Sequence, residues 1–306
     1  MLHEDDNRVC RYFDFALIGD PVGHSLSPVM HNTLYRYLAK EKVAFTNWRY
    51  CAVQCPDERS ALKQIGYVRT GHYRGMNITM PYKRLALDQA DFVDSSADAA
   101  GGANVLVRKG YDLYAYNTDG LGALGAIVRT SGRDPKGLRV AVCGTGPTSV
   151  AIAAAFANAK ASEVVVFSRE HERARRVIER LRLSLVEGAT FWLRSASYED
   201  APGLIPSMDI IVDATPSGMN PDDESVIPVE LFHEGQVVLD TVYAHGITRI
   251  VGGAREQGAY AMDGLEMLVE QAALSVEIWA EALGIEVTVP REVMRDAATS
   301  GSGALQ

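Results

Sequence analysis

A chain of 306 residues with 47% hydrophobic and 23% charged residues has room for two domains and the balance of an ordinary globular protein, not a disordered or fibrous one. A net charge of −9 without a basic stripe or arginine-rich tail argues against nucleic acid as a partner, and no apolar run reaches transmembrane length, which argues against a membrane. The four cysteines, Cys10, Cys51, Cys55 and Cys143, lack metal-site spacing and follow no secretory signal, so the expectation is no metal and reduced thiols in a cytoplasmic protein.

Strand and helix signals alternate along the chain, which predicts an α/β fold built on parallel or mostly parallel sheet. Residues 13–19 read as a short apolar strand and 27–38 as a helix. Ser25 and Ser27 flank that helix start, with Pro28 suited to its first position. Unpaired N–H groups, two hydroxyls and a positive dipole end make a site for a carboxylate; Ser27 as an ordinary helix cap explains the same residues. A strand at 47–53 and a helix at 57–65 follow.

The run Gly75-Met76-Asn77-Ile78-Thr79-Met80-Pro81-Tyr82-Lys83 is the most informative of the chain. Residues 76–79 read as a buried strand and Pro81 as the opening of a helix, which puts Lys83 in a first turn, where a cation is disfavoured by roughly 0.3–1 kcal/mol. A lysine kept there is one whose charge or proton is used, or one whose long stem carries the charge out to water. Residues 104–108 and 112–116 read as a hairpin around Lys109-Gly110. The run from Tyr114 to Gly120 then ends a strand and opens a helix at 120–129, read as the link between two domains. It sets Asp119 at or beside the N-cap, where a carboxylate is favoured and where capping alone would account for it. A lysine and an aspartate, each at a strand-to-helix turn of one sheet, can also face each other and handle a proton.

Residues 133–137 break the chain. After them, an apolar strand at 138–143 runs into Gly144-Thr145-Gly146, a small-residue helix at 148–159 and a strand at 163–167, a βαβ unit with a glycine-rich first turn. Gly144 and Gly146 allow a pyrophosphate to approach the backbone at the helix N-terminus. Pro147 gives up one N–H donor there, and the hydroxyls of Thr148 and Ser149 are expected to compensate in part. Further strands are read at 209–214 and 237–240. A helix at 264–283 carries an apolar stripe, with Asp263 and Glu266 as a capping box.

Several blocks, in order along nearly the whole chain, resemble the shikimate dehydrogenase family, which includes quinate/shikimate dehydrogenases. They are the stretch from Gly19 to Asn32 (Gly-Asp-Pro-Val-Gly-His-Ser-Leu-Ser-Pro-Val-Met-His-Asn), the Gly75 to Lys83 run, Asn117-Thr118-Asp119, Ala214-Thr215-Pro216-Ser217-Gly218-Met219, Asp240-Thr241-Val242-Tyr243, and Gly264-Leu265-Glu266-Met267-Leu268-Val269-Glu270-Gln271. The resemblance implies an N-terminal α/β substrate domain, residues 1–122 with 264–306, and a Rossmann-type NAD(P)-binding domain, residues 123–263, with a cleft between them. It implies NADP-dependent, reversible reduction of 3-dehydroshikimate to shikimate in the shikimate pathway of aromatic amino acid biosynthesis, by a monomer or homodimer.

By the same resemblance Lys83 and Asp119 are the catalytic pair at the reacting oxygen. Ser25 and Ser27 bind the substrate carboxylate, and Asn77, Thr79, Asn104, Tyr243 and Gln271 its ring. Gly144, Gly146, Ser149, Ser168, Arg169, Arg173, Thr215, Thr241 and Gly264 line the cofactor, with both arginines on the adenosine 2′-phosphate. Two departures stand out: Val105 replaces the threonine that follows Asn104 in the family, and Glu170 stands where a threonine is usual. A carboxylate at 170 repels a 2′-phosphate and accepts bonds from the ribose of NAD, which keeps an NAD-preferring quinate/shikimate dehydrogenase as the alternative. A non-catalytic shikimate or quinate sensor is the more distant one.

Overall fold

The computed structural model describes residues 14–185 and 192–302. Cys10 lies outside the described residues. Packing divides the chain into two compact units: one holds the residues up to Val93, Asn104–Ala115 and the chain from Ser275, the other Asp94–Ala103 and Tyr116–Leu274.

The first unit runs β1 (Phe15–Gly19), α1 (Ser27–Leu38), β2 (Tyr50–Gln54), α2 (Glu58–Arg69), β3 (Gly75–Ile78), α3 (Lys83–Asp88) and β4 (Phe92–Val93). Helix α4 (Ser95–Ala100) belongs to the second unit, and β5 (Val105–Lys109) and β6 (Asp112–Tyr116) return to the first sheet. Helix α2 starts where Asp57 Oδ1 accepts the Ser60 N–H at 2.7 Å and the Ser60 hydroxyl returns the bond, a complete capping box. The six strands stand in the order β2-β1-β3-β5-β6-β4. Strand β1 is parallel to β2 and β3, but β5 runs antiparallel to β3. The sheet is therefore mixed. One side of the core is aromatic: the Phe15 ring lies 4.5 Å from that of Trp279 and 4.6 Å from that of Trp48. Buried Trp279 is satisfied by donating to the Leu106 carbonyl at 3.1 Å.

The second unit runs α5 (Asp119–Ser131), β7 (Arg139–Cys143), α6 (Pro147–Asn158), β8 (Glu163–Ser168), α7 (His171–Ser184), β9 (Trp192–Ser197), α8 (Ala201–Leu204), β10 (Ile210–Asp213), β11 (Val237–Asp240), α9 (Arg249–Glu256) and β12 (Tyr260–Met262). Its strands stand in the order β12-β11-β10-β7-β8-β9 and every neighbouring pair is parallel. This is the doubly wound order of dinucleotide-binding sheets, and the strand order reverses between β7 and β10. The central strands are buried along almost their whole length, as a parallel sheet covered on both faces requires.

Helix α10 (Leu265–Ala282) starts in the second unit, and its residues from Ser275 count with the first. Asp263 Oδ1 accepts the Leu265 N–H at 3.1 Å, and Glu266 is paired with Arg129 at 2.6 Å. The last helix, α11 (Arg291–Ser302), is tied by Arg291 to Glu277 of α10 at 2.6 Å. Among the described residues no helix is long and apolar enough to cross a membrane.

Candidate active site

In the first unit, the turn before α1 is closed by Ser25, whose Oγ accepts the Ser27 N–H at 3.2 Å. The N-cap of α1 is Leu26, with no side-chain cap bond, and Ser27 is already the first helical residue, followed by Pro28. Capping therefore does not account for Ser27, which is 5% exposed.

Asn77, in β3, gathers three elements. Its Oδ1 accepts the Tyr50 hydroxyl at 2.8 Å, and its Nδ2 donates to the Asn104 carbonyl at 3.1 Å and to Ser275 Oγ at 3.0 Å. Asn77 and Asn104, expected from separate motifs, thus come together. Tyr50 and Ser275 were missed: one reads as a strand aromatic, the other as a lone polar residue in the apolar stripe of α10. Behind them the His31 ring stacks on Tyr50, with centroids 4.1 Å apart and planes 2° off parallel. Burial pushes the His31 imidazole down to about 3, so this support is uncharged at neutral pH.

The segment that carries Lys83 is pinned to the strand ends. Thr79 N–H donates to the Ile18 carbonyl at 2.9 Å, Asp20 N–H to that of Met80 at 2.9 Å, and the Tyr82 hydroxyl to that of Cys55 at 2.6 Å. Pro81 does not open the helix: the Met80–Pro81 peptide is cis, and α3 begins at Lys83. Lys83 does fall in a first turn, as expected, but the helix behind it has only six residues and a correspondingly small dipole.

In the second unit, Asp119 is the first residue of α5 and Thr118 occupies the N-cap. Asn117 Oδ1 accepts the Asp119 N–H at 3.0 Å, while the Asp119 carboxylate accepts the Thr148 hydroxyl at 2.9 Å. The Thr118 hydroxyl donates to the backbone carbonyl of Gln271 at 3.1 Å. Asn117 and Thr118 were not singled out as site residues, and Thr148 only as a donor toward the pyrophosphate; the Thr118 and Thr148 bonds join segments far apart in sequence, which no local pattern announces.

The glycine-rich turn follows β7 as expected, with Gly146 as N-cap and Pro147 as first residue of α6. Gly144 has φ +107°, and a Cβ there would lie 2.5 Å from Ser149 Oγ and 3.1 Å from the Ala214 carbonyl oxygen. This bare backbone before the N-terminus of a twelve-residue helix suits a pyrophosphate. The two hydroxyls expected to make good the N–H lost at Pro147 are engaged elsewhere: Thr148 on Asp119, and Ser149, 1% exposed, on the Ala214 carbonyl at 3.3 Å.

Two buried acids at the strand ends hold the neighbouring turns. Asp213 Oδ1 accepts the Thr215 N–H at 2.9 Å, and Asp240 accepts the Val242 N–H at 2.9 Å and the Thr248 hydroxyl at 2.6 Å. The register places Asp213 opposite both Cys143 and Asp240. Asp213 Oδ2 is buried without a hydrogen-bond partner. Burial first, and then the charge of Asp240, push the Asp213 carboxyl up to about 7; burial pushes that of Asp240 up to about 6. Thr241 N–H bonds the Asp213 carbonyl at 2.9 Å, Gly264 N–H that of Val242 at 2.9 Å, and Tyr243 follows half-buried.

At the end of β8, Ser168 Oγ accepts the Glu170 N–H at 3.3 Å. Arg169 and Arg173 are exposed, as a phosphate-binding pair would be, but Arg173 is paired with Glu170 at 2.9 Å. The donors, the glycine turn and the strand order together fit a dinucleotide with an added phosphate.

Residues 17–106 match the family described as shikimate dehydrogenase substrate binding domain, and residues 127–266 the family described as shikimate / quinate 5-dehydrogenase. A shikimate dehydrogenase (NADP(+)) of Methanopyrus kandleri is 34% identical over 285 residues, 92% of this chain and 93% of the relative. Shikimate 5-dehydrogenase from Thermus thermophilus, in complex with NADP(H) and shikimate, superposes with a TM-score of 0.79 at 30% identity, covering 94% of this chain and 99% of that one. The Listeria monocytogenes enzyme, in complex with shikimate and NAD, gives 0.80 at 26% identity over 94% and 97% of the two chains.

Proposed function

The chain belongs to the shikimate dehydrogenase family, and on that premise we propose that it catalyses the reversible reduction of 3-dehydroshikimate to shikimate with NADP as cofactor, in the shikimate pathway. The observation that carries the reading is the likeness to an NADP-dependent shikimate dehydrogenase over 92% of the chain, with Lys83 and Asp119 both in place.

We assign substrate binding and catalysis to residues 1–122 with 264–306, and cofactor binding to 123–263. Ser25 and Ser27 take the substrate carboxylate at the start of α1. Asn77, Thr79, Asn104, Tyr243 and Gln271 take the ring and its hydroxyls, and a substrate lacking a hydroxyl would leave such groups unpaired. Gly144, Gly146 and Ser149 form the pyrophosphate turn; Arg169 and Arg173 take the 2′-phosphate; Ser168, Thr215, Thr241 and Gly264 line the remainder. When bound, the nicotinamide ring of NADP(H) supplies or accepts the hydride. Lys83 donates a proton to the reacting oxygen on reduction, or steadies the negative charge growing there, and Asp119 keeps the substrate in register. The Arg173–Glu170 pair supports a narrower preference for NADP over NAD than two unopposed arginines would give. Its buried thiols suit a reducing compartment, and we place the enzyme in the cytoplasm as a monomer or homodimer.

The test is the absorbance of reduced cofactor on mixing the protein with shikimate and NADP, in parallel with NAD and with quinate. Turnover of shikimate chiefly with NADP is the expected result. Turnover chiefly of quinate with NAD would overturn the substrate and cofactor assignments, and binding of shikimate without turnover would identify a sensor.

A further inference from the structure

We propose that Thr148 is a positioning residue for the reaction: its hydroxyl ties the Asp119 carboxylate to the cofactor turn. The inference rests on the reading of Asp119 as a catalytic residue. Thr148 is the second residue of α6, in the turn assigned to the pyrophosphate, and its Oγ1 donates to Asp119 Oδ2 at 2.9 Å. The approach is built into both helices. A Cβ on Gly120 would lie 2.2 Å from the Ala151 carbonyl oxygen and 3.0 Å from Ala155 Cβ, so only a glycine after Asp119 lets the start of α5 lie this close to α6.

Asp119 is fixed from its other side as well. Asn117 Oδ1 takes the Asp119 N–H, while Asn117 itself is anchored by donating its side-chain amide to the Gly102 carbonyl at 2.8 Å and its N–H to Ser96 Oγ at 3.0 Å. Backbone and carboxylate are thus held independently, and Asp119 is 5% exposed. A carboxylate left to rotate would sample orientations that do not serve the reacting oxygen, and a bond to its Oδ2 selects one of them. The core does not demand a hydroxyl at 148: the rest of α6 from Val150 to Ala157 is apolar, and Thr148 is half-buried.

The test compares Thr148→Val, Thr148→Ala and Thr148→Ser in the full chain, each alone and with Asp119→Ala. The readouts are kcat and KM for shikimate, and NADPH affinity by titrating its fluorescence. Losing one hydrogen bond that acts in the transition state predicts that Thr148→Val and Thr148→Ala lower kcat by about tenfold. Shikimate KM and NADPH affinity should stay near the parent values, and Thr148→Ser should restore most of the rate. In the Asp119→Ala background the same substitutions should cost nothing more. NADPH affinity falling in step with the rate, with equal losses in both backgrounds, would show that the hydroxyl serves the cofactor and overturn the inference while the site assignment stands. Parent turnover in both hydroxyl-free variants would overturn it too. An Asp119→Ala variant with undiminished turnover would remove Asp119 from the site, and the inference with it.

Discussion

The two ends of the proposed ligand set are built in opposite ways. In the first unit, Asn77 is locked by Tyr50, Asn104 and Ser275, and Tyr50 rests on a buried, neutral His31. In the second unit, the groups assigned to the 2′-phosphate are exposed arginines, one of them held by a surface glutamate. A buried network is made once, on folding, and shares its energy with the core; an exposed ion pair rearranges at little cost. Substrate choice should therefore be inseparable from the fold, whereas cofactor choice should be adjustable by single surface changes.

Four substitutions break or sharpen this contrast. Lys83→Ala should have the largest effect, lowering kcat by about 10²–10⁴ with shikimate affinity much less changed. Steady-state kinetics checks it, and equal losses in both constants would contradict the assignment.

Asp213→Asn probes a place where the second unit also buries polar groups. The Asp213 carboxyl stands at about 7 in the fold, against 3.8 for an ordinary one. The stability linked to it is therefore fully present below pH 4 and is lost as pH rises through 7. Asp240, raised to about 6, adds to the same loss, and Cys143 faces the pair from β7. Urea denaturation at pH 5 and pH 8 should show the parent losing on the order of a few kcal/mol over this range, and the asparagine variant losing less. Asn77→Leu strips a hydrogen bond from both Tyr50 and Ser275 and should cost about 1–3 kcal/mol of stability as well as activity. The fourth and smallest effect is that of Glu170→Thr.

The βαβ unit of the second domain was legible because all its signals agree: an apolar strand, a glycine-rich turn, and a helix of small residues buried nearly all round. Strands β9 and β12 were not, since both lie at the edges of the sheet with exposed residues, and β12 has only three residues. Helix α11 is polar for much of its length, and its place is fixed by α1 and by an ion pair to α10, which no local pattern contains. Pro81 was read as a helix opener because the φ of proline suits a first turn as well as the turn it occupies. At the site, the motif positions were readable one by one. Their partners, such as Tyr50 for Asn77 and Thr148 for Asp119, come from distant segments and are decided by tertiary packing. The acids Asp213 and Asp240 read as ordinary strand ends until burial and register set them side by side.

The contrast between a built-in substrate site and an adjustable cofactor site is tested most directly by two ratios measured on the parent and on Glu170→Thr. These are kcat/KM with NADP over NAD, and kcat/KM for shikimate over quinate. Removing an exposed ion pair of this kind predicts that the cofactor ratio rises about two- to fivefold while the substrate ratio stays where it was. A cofactor ratio that does not move, or a substrate ratio that moves with it, would contradict the account.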